Sequence, residues 1–195
     1  MVANFVDFLI RSHALEEKYR EDSVYGLTLV FEKLIVYTVL FIISFLLGKF
    51  WEGVAFTVCF LMLRQTTGGF HAKSFLGCFI GSIAMVVLTL EVFAPLLTKY
   101  MIIFGLTLVI SIICILFFAP VNHTDLMLTL EEQRKHRNWS RGILFIEIGA
   151  AGAGILLKVE WQQYILMAII VCAVFIVVAK LIRQEVRTDE NKENR

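Results

Sequence analysis

The chain has 195 residues, 58% of them hydrophobic, with 17 phenylalanines and a formal net charge of +1. A soluble domain of this length cannot hide that much apolar surface, whereas a bilayer accepts it, so a water-soluble globular protein is excluded. No long block of like charge occurs, so nucleic acid is not an expected partner. With two prolines and no Ser/Gly-rich linker, residues 1–195 read as a single membrane domain.

At the N-terminus the apolar character is broken by Asp7, Arg11 and His13, unlike a cleaved secretory signal. Val2, Phe5, Val6 and Leu9 recur at helical spacing, and charges gather over Glu16–Asp22. Residues 1–25 therefore read as an amphipathic helix lying at the membrane surface.

A bilayer crossing needs about 20 apolar residues. Leu27–Gly48, Phe75–Leu97, Met101–Ala119 and Gln162–Ile182 meet or approach that length, while Gly142–Leu157 is shorter and glycine-rich. Phe50–Leu63 is shorter still and reads as a short span or a re-entrant segment. The expected fold is an all-α integral membrane protein with about six transmembrane or re-entrant helices in residues 27–182, plus the interfacial N-terminal helix. Residues 183–195 form a polar tail. If all six segments cross, fourteen basic residues fall on one side and three (Lys49, Lys99, Lys158) on the other, with Lys33 inside the first span. Cationic loops stay in the cytoplasm. Both termini, the Arg64–Ser74 loop and the Pro120–Arg141 loop are therefore expected there. Cys59, Cys114 and Cys172 lie within apolar runs and read as buried thiols rather than disulfides.

One stretch departs from a generic membrane protein. Polar residues and a Gly-Gly pair interrupt the apolar pattern over Arg64-Gln-Thr-Thr-Gly-Gly-Phe-His71-Ala-Lys-Ser-Phe-Leu-Gly-Cys78. Ser74 suits an N-cap, which puts Cys78 about one turn inside a helix. There the helix dipole and Lys73 favour the thiolate, and His71 is the nearest imidazole to act as base and acid. On one continuous helix the two side chains would stand about 10 Å apart, so the Gly-Gly turn must fold His71 back over the helix start. From the residues alone, a packed cysteine and a solvated histidine remain open beside catalysis. Gly77 and Gly81 form a small-residue face beside Cys78 that suits close helix packing or access for a peptide backbone.

The stretch resembles the signature of the accessory gene regulator protein B family, AgrB, whose members are bacterial membrane peptidases acting on the precursor of a cyclic quorum-sensing peptide. The resemblance covers nearly the whole chain, and its most specific part is Arg64, Gly68-Gly69, His71-Ala72 and Cys78, with Ala119-Pro120 closing the fourth span. It implies that His71 and Cys78 are the catalytic pair of a cysteine endopeptidase and that Arg64 and Gly69 support activity. It further implies a small AgrD-like precursor with an amphipathic N-terminus and an acidic tail, thiolactone formation through an acyl-enzyme thioester, a bacterial cell-membrane location and a homodimer. No metal or cofactor is expected. The loop after Ala119-Pro120 reads Val-Asn-His-Thr-Asp-Leu-Met and lacks the further prolines of many members.

Glu147 and Glu32, ionisable groups within spans at a depth similar to Cys78, are candidates to orient His71. Arg134, Lys135, Arg137 and Arg141 serve topology and are candidates to steer an acidic precursor. No His-Glu-x-x-His occurs, and Glu131-Glu132 with Arg137 misses the spacing of prenyl-protein proteases by one residue. The competing reading is a small membrane transporter or scaffold without peptidase activity.

Overall fold

The computed structural model describes residues 2–12, 14–70, 74–122 and 128–182. Seven helices account for nearly all of them: α1 Val2–Arg11, α2 Arg20–Leu46, α3 Phe50–Thr67, α4 Phe75–Lys99, α5 Met101–Phe118, α6 Leu130–Leu156 and α7 Gln162–Leu181. Five of these (α2, α4, α5, α6, α7) are long and apolar enough to cross a membrane. Large apolar side chains such as Phe45, Met101, Ile102 and Phe117 are exposed. In water such a surface would aggregate; against lipid tails it is satisfied. The chain is a multi-pass membrane protein.

Burial sets the layout. In α7, 61% of the apolar window is buried, against 11% to 28% in the other four. It is the central post, packed on α3, α5 and α6, while α2 lies against α3 and α4. The shared core includes Phe56, Leu63, Ile115, Leu144, Met167 and Ile176.

Three boundaries differ from the sequence reading. The expected short segment Phe50–Leu63 runs on to Thr67, and its 18 residues extend about 27 Å. The Pro120–Arg141 stretch, expected as a loop, is helical from Leu130, so Glu131 and Glu132 open α6 rather than sit in a loop. Hydropathy placed the start at Gly142 because the first three turns are polar. A capping box fixes the true start: the Thr129 hydroxyl accepts from the Glu132 amide, and the Glu132 carboxylate accepts from the Thr129 amide at 2.9 Å. Likewise α2 begins at Arg20, so Arg20, Glu21 and Asp22, assigned to the surface helix, belong to the first long apolar helix.

The surface helix α1 is tied to α2 rather than only floating on lipid. Val6 is wholly buried, and the Arg20 guanidinium donates to both Asp7 carboxylate oxygens at 2.8 and 3.3 Å. Phe5 and Phe8 face outward, where an interfacial helix presents apolar side chains to lipid. The Arg20 hydrogen bond holds the Asp7 carboxyl below its ordinary range. A carboxyl with a lowered folded-state pKa adds stability above its unfolded value, and this is lost as pH falls through the folded value. Amide protection of α1 in vesicles, read by hydrogen exchange, should hold from neutrality down to about pH 5 and fall away below about pH 4. Asp7→Asn should lower that protection at neutral pH and remove its pH dependence.

Candidate active site

The site is built where α3 ends. Its last turn leads into Gly68 (φ +66°) and Gly69 (φ +120°), conformations that residues with a Cβ rarely adopt. Space forbids a side chain here as well: a Cβ on Gly68 would run into the Val121 carbonyl, and one on Gly69 would lie 3.2 Å from the Phe175 carbonyl.

Three contacts hold this loop. The half-buried Arg64 guanidinium donates to the Gly68 and Phe70 carbonyls and stacks 5.3 Å from the Phe175 ring. The Val121 amide, just after the cis Ala119-Pro120 bond, donates to the Thr67 carbonyl at 2.9 Å and pairs Gly68 with Val121 in a single parallel bridge. The Phe70 amide donates to the Phe175 carbonyl at 3.1 Å. Phe175 lies seven residues before Ile182, the C-cap of α7. The loop is thus docked about 10 Å short of the end of α7.

His71 and Lys73 lie outside the described residues. The chain is next described at Ser74, whose hydroxyl accepts from the Gly77 amide at 3.2 Å, so it is the expected N-cap. Because α4 begins at Phe75, His71 and Cys78 are not on one continuous helix. Cys78 is the fourth residue of α4 and is exposed, whereas Cys59 is half-buried and Cys114 and Cys172 are buried; all four are free thiols. The Arg64 guanidinium and the Tyr37 hydroxyl lie within electrostatic range of Cys78.

The other sequence candidates scatter. Glu147 is buried in α6, with no hydrogen-bond partner for either oxygen among the described residues. It lies within electrostatic range of the Cys59 and Cys172 thiols. Glu32 is half-buried on α2. Arg134, Lys135, Arg137 and Arg141 are exposed on the first turns of α6, where Glu131 pairs with Lys135 at 3.3 Å and Arg141 donates to the Leu116 carbonyl at 3.3 Å. Gly77 and Gly81 are both exposed. A Cβ added to Gly81 would meet nothing within 4 Å, so this face is open among the described residues. Tyr37, Val121 and Phe175 went unnoticed in the sequence. A hydroxyl inside the apolar run of α2 was the available signal for Tyr37; Val121 acts through its backbone amide, which leaves none, and Phe175, which adds its ring to its carbonyl, is one of 17 phenylalanines.

The chain matches the family model for Accessory gene regulator B over residues 2–182. It belongs to the AgrB family. An AgrB-like protein from Listeria welshimeri serovar 6b is 30% identical over 111 residues, which cover 57% of this chain and 54% of the relative. The chain therefore spans about half the length of that relative in the alignment. No solved structure matches. Membership of AgrB ties the protein to the accessory gene regulator system, and the helices make it a quorum-sensing protein of the membrane.

Proposed function

We propose that this AgrB protein is a cysteine endopeptidase that cleaves an AgrD-like precursor and releases it as a thiolactone. The observation that carries the reading is the state of Cys78: of the four thiols it is the exposed one, one turn inside a capped helix and within range of the Arg64 cation. The Cys78 thiolate attacks a backbone carbonyl of the precursor. The C–N bond breaks as His71 gives its proton to the leaving amine, and the peptide remains as a thioester on Cys78. A cysteine thiol of the peptide then gives its proton to the now neutral His71, attacks that thioester, closes the ring and frees the Cys78 thiolate. No external energy source is needed, because one thioester replaces another.

The end of the bundle that carries Cys78 is proposed to face the cytoplasm with both termini, on the strength of the lysine and arginine bias. The α6 cations are proposed to attract the acidic tail of the precursor. The open Gly77/Gly81 face suits a homodimer.

The test is co-expression with the precursor, followed by mass spectrometry for wild type, Cys78→Ala and His71→Ala. Processing by Cys78→Ala equal to wild type would sink the proposal and favour a transporter or scaffold.

Glu147 is proposed to orient the imidazole, in keeping with its retention as a buried carboxyl without a partner among the described residues. Such a group is a burden on stability. Glu147→Leu should raise resistance to denaturation in detergent by about 1–3 kcal/mol while lowering processing. A gain in stability with processing unchanged would remove Glu147 from the site.

A further inference from the structure

At its far end from Cys78, α4 is not a regular helix. Thr89–Phe93 forms a π-turn in which the Ala94 amide reaches back five residues to the Thr89 carbonyl. The next donor in that pattern belongs to Pro95, which has no N–H, so the Leu90 carbonyl is left without a helical partner. In an unbroken α-helix the Pro95 ring would strike the carbonyl four residues back; the wider turn relieves that contact. Lys49, from the turn between α2 and α3, fills the gap. Its Nζ donates to the Leu90 carbonyl at 2.8 Å and pairs with the Glu91 carboxylate at 3.0 Å.

A π-turn adds one residue to a helix. Everything on one side of it is rotated by about 100° and shifted by about 1.5 Å relative to an uninterrupted helix. Packing decides which side turns when the bulge goes. Val86, Thr89, Leu90 and Ala94 are wholly buried, whereas residues 74–78 and 80–81 are exposed. The Phe75 end is the loosely held one, and it carries Cys78.

We infer that Lys49 is a positioning residue for Cys78, acting about 17 Å away by holding the π-turn that sets the rotational register of α4. With the strap in place, Cys78 keeps its register on α4, which packs against α2; without it, the thiol turns by about 100° from that register. This rests on Cys78 being the nucleophile, but the register itself is open to a test that does not.

The test uses full-length protein in phospholipid vesicles. Tyr37→Cys, on the α2 helix that packs against α4, is paired with Cys78, with Cys59, Cys114 and Cys172 changed to Ala, and a short bifunctional methanethiosulfonate is the probe. Cross-linking should occur in that background and with Lys49→Arg, which keeps the donors. It should be lost in Lys49→Met/Glu91→Gln, which removes the strap without leaving an unpaired charge. In the otherwise native protein the same double variant should lower kcat on a synthetic AgrD-type precursor about a hundredfold, the scale for an ångström of misplacement. KM should be unchanged, and Lys49→Arg should restore the rate. Should the double variant fail to accumulate in the membrane, Lys49→Met/Pro95→Ala serves, since it removes the strap together with the ring that disfavours an unbroken helix. Retained cross-linking with an unchanged kcat in an accumulated variant overturns the inference and leaves the peptidase reading intact. Processing by Cys78→Ala would instead overturn the peptidase reading, while the cross-link still reports the register.

Discussion

Cys78→Ala is expected to abolish precursor cleavage, by a factor on the order of a million where the nucleophile itself is removed, while the protein still accumulates in the membrane. The side chain is exposed and supports no core contact, so its loss leaves the bundle as it was. His71→Ala is expected to cost less, about 10²–10⁴-fold, because a positioned acid–base group contributes on that scale and the thiolate survives it. The ordering is the diagnostic. With a precursor whose own cysteine is replaced by serine, the acyl-enzyme has no thiol to receive the peptide, and a covalent adduct on Cys78 should build up in wild type. Intact mass spectrometry reads that adduct. Its appearance in Cys78→Ala would place the nucleophile elsewhere.

Gly68→Ala is expected to be the most damaging single-methyl change in the protein. A residue with a Cβ held at that φ costs about 1–3 kcal/mol, and here the added methyl also meets the Val121 carbonyl. The loop must move, carrying with it the segment that leads to His71. Arg64→Lys should have a related effect by another route. One planar fork serves two carbonyls and stacks on Phe175; a single ammonium on a flexible stem does not reproduce that. For both variants, processing should fall by about a hundredfold or more, and the Phe70 amide should lose its protection in hydrogen exchange. Full activity in Gly68→Ala would show that the loop geometry is irrelevant to the chemistry.

The apolar runs were legible because a bilayer imposes length and hydropathy on the residues themselves, and Ser74 announced the start of α4 through the chemistry of its side chain. The onset of α6 was hidden because its first turns are polar and its signal is a capping box, which hydropathy does not weigh. The π-turn was foreshadowed by Pro95, but its partner Lys49 sits 46 residues earlier and its depth is known only after folding. The Gly-Gly pair stood out as a sequence anomaly. What it is fastened to did not, because Val121 and Phe175 bond it through main-chain groups that every residue possesses, and the Phe175 ring under Arg64 is one of 17 phenylalanines.

The central position of α7 has a consequence for biogenesis. This post is synthesised after α3, α5 and α6, so those helices enter the membrane with their inner faces still waiting for it. The Phe70 amide finds the Phe175 carbonyl only when that last helix arrives, and the Arg64 stacking partner arrives with it. A ribosome-bound or truncated chain therefore has a thiol but no ordered loop beside it. The Gly68–Phe70 loop reaches its described form only once α7 has been made.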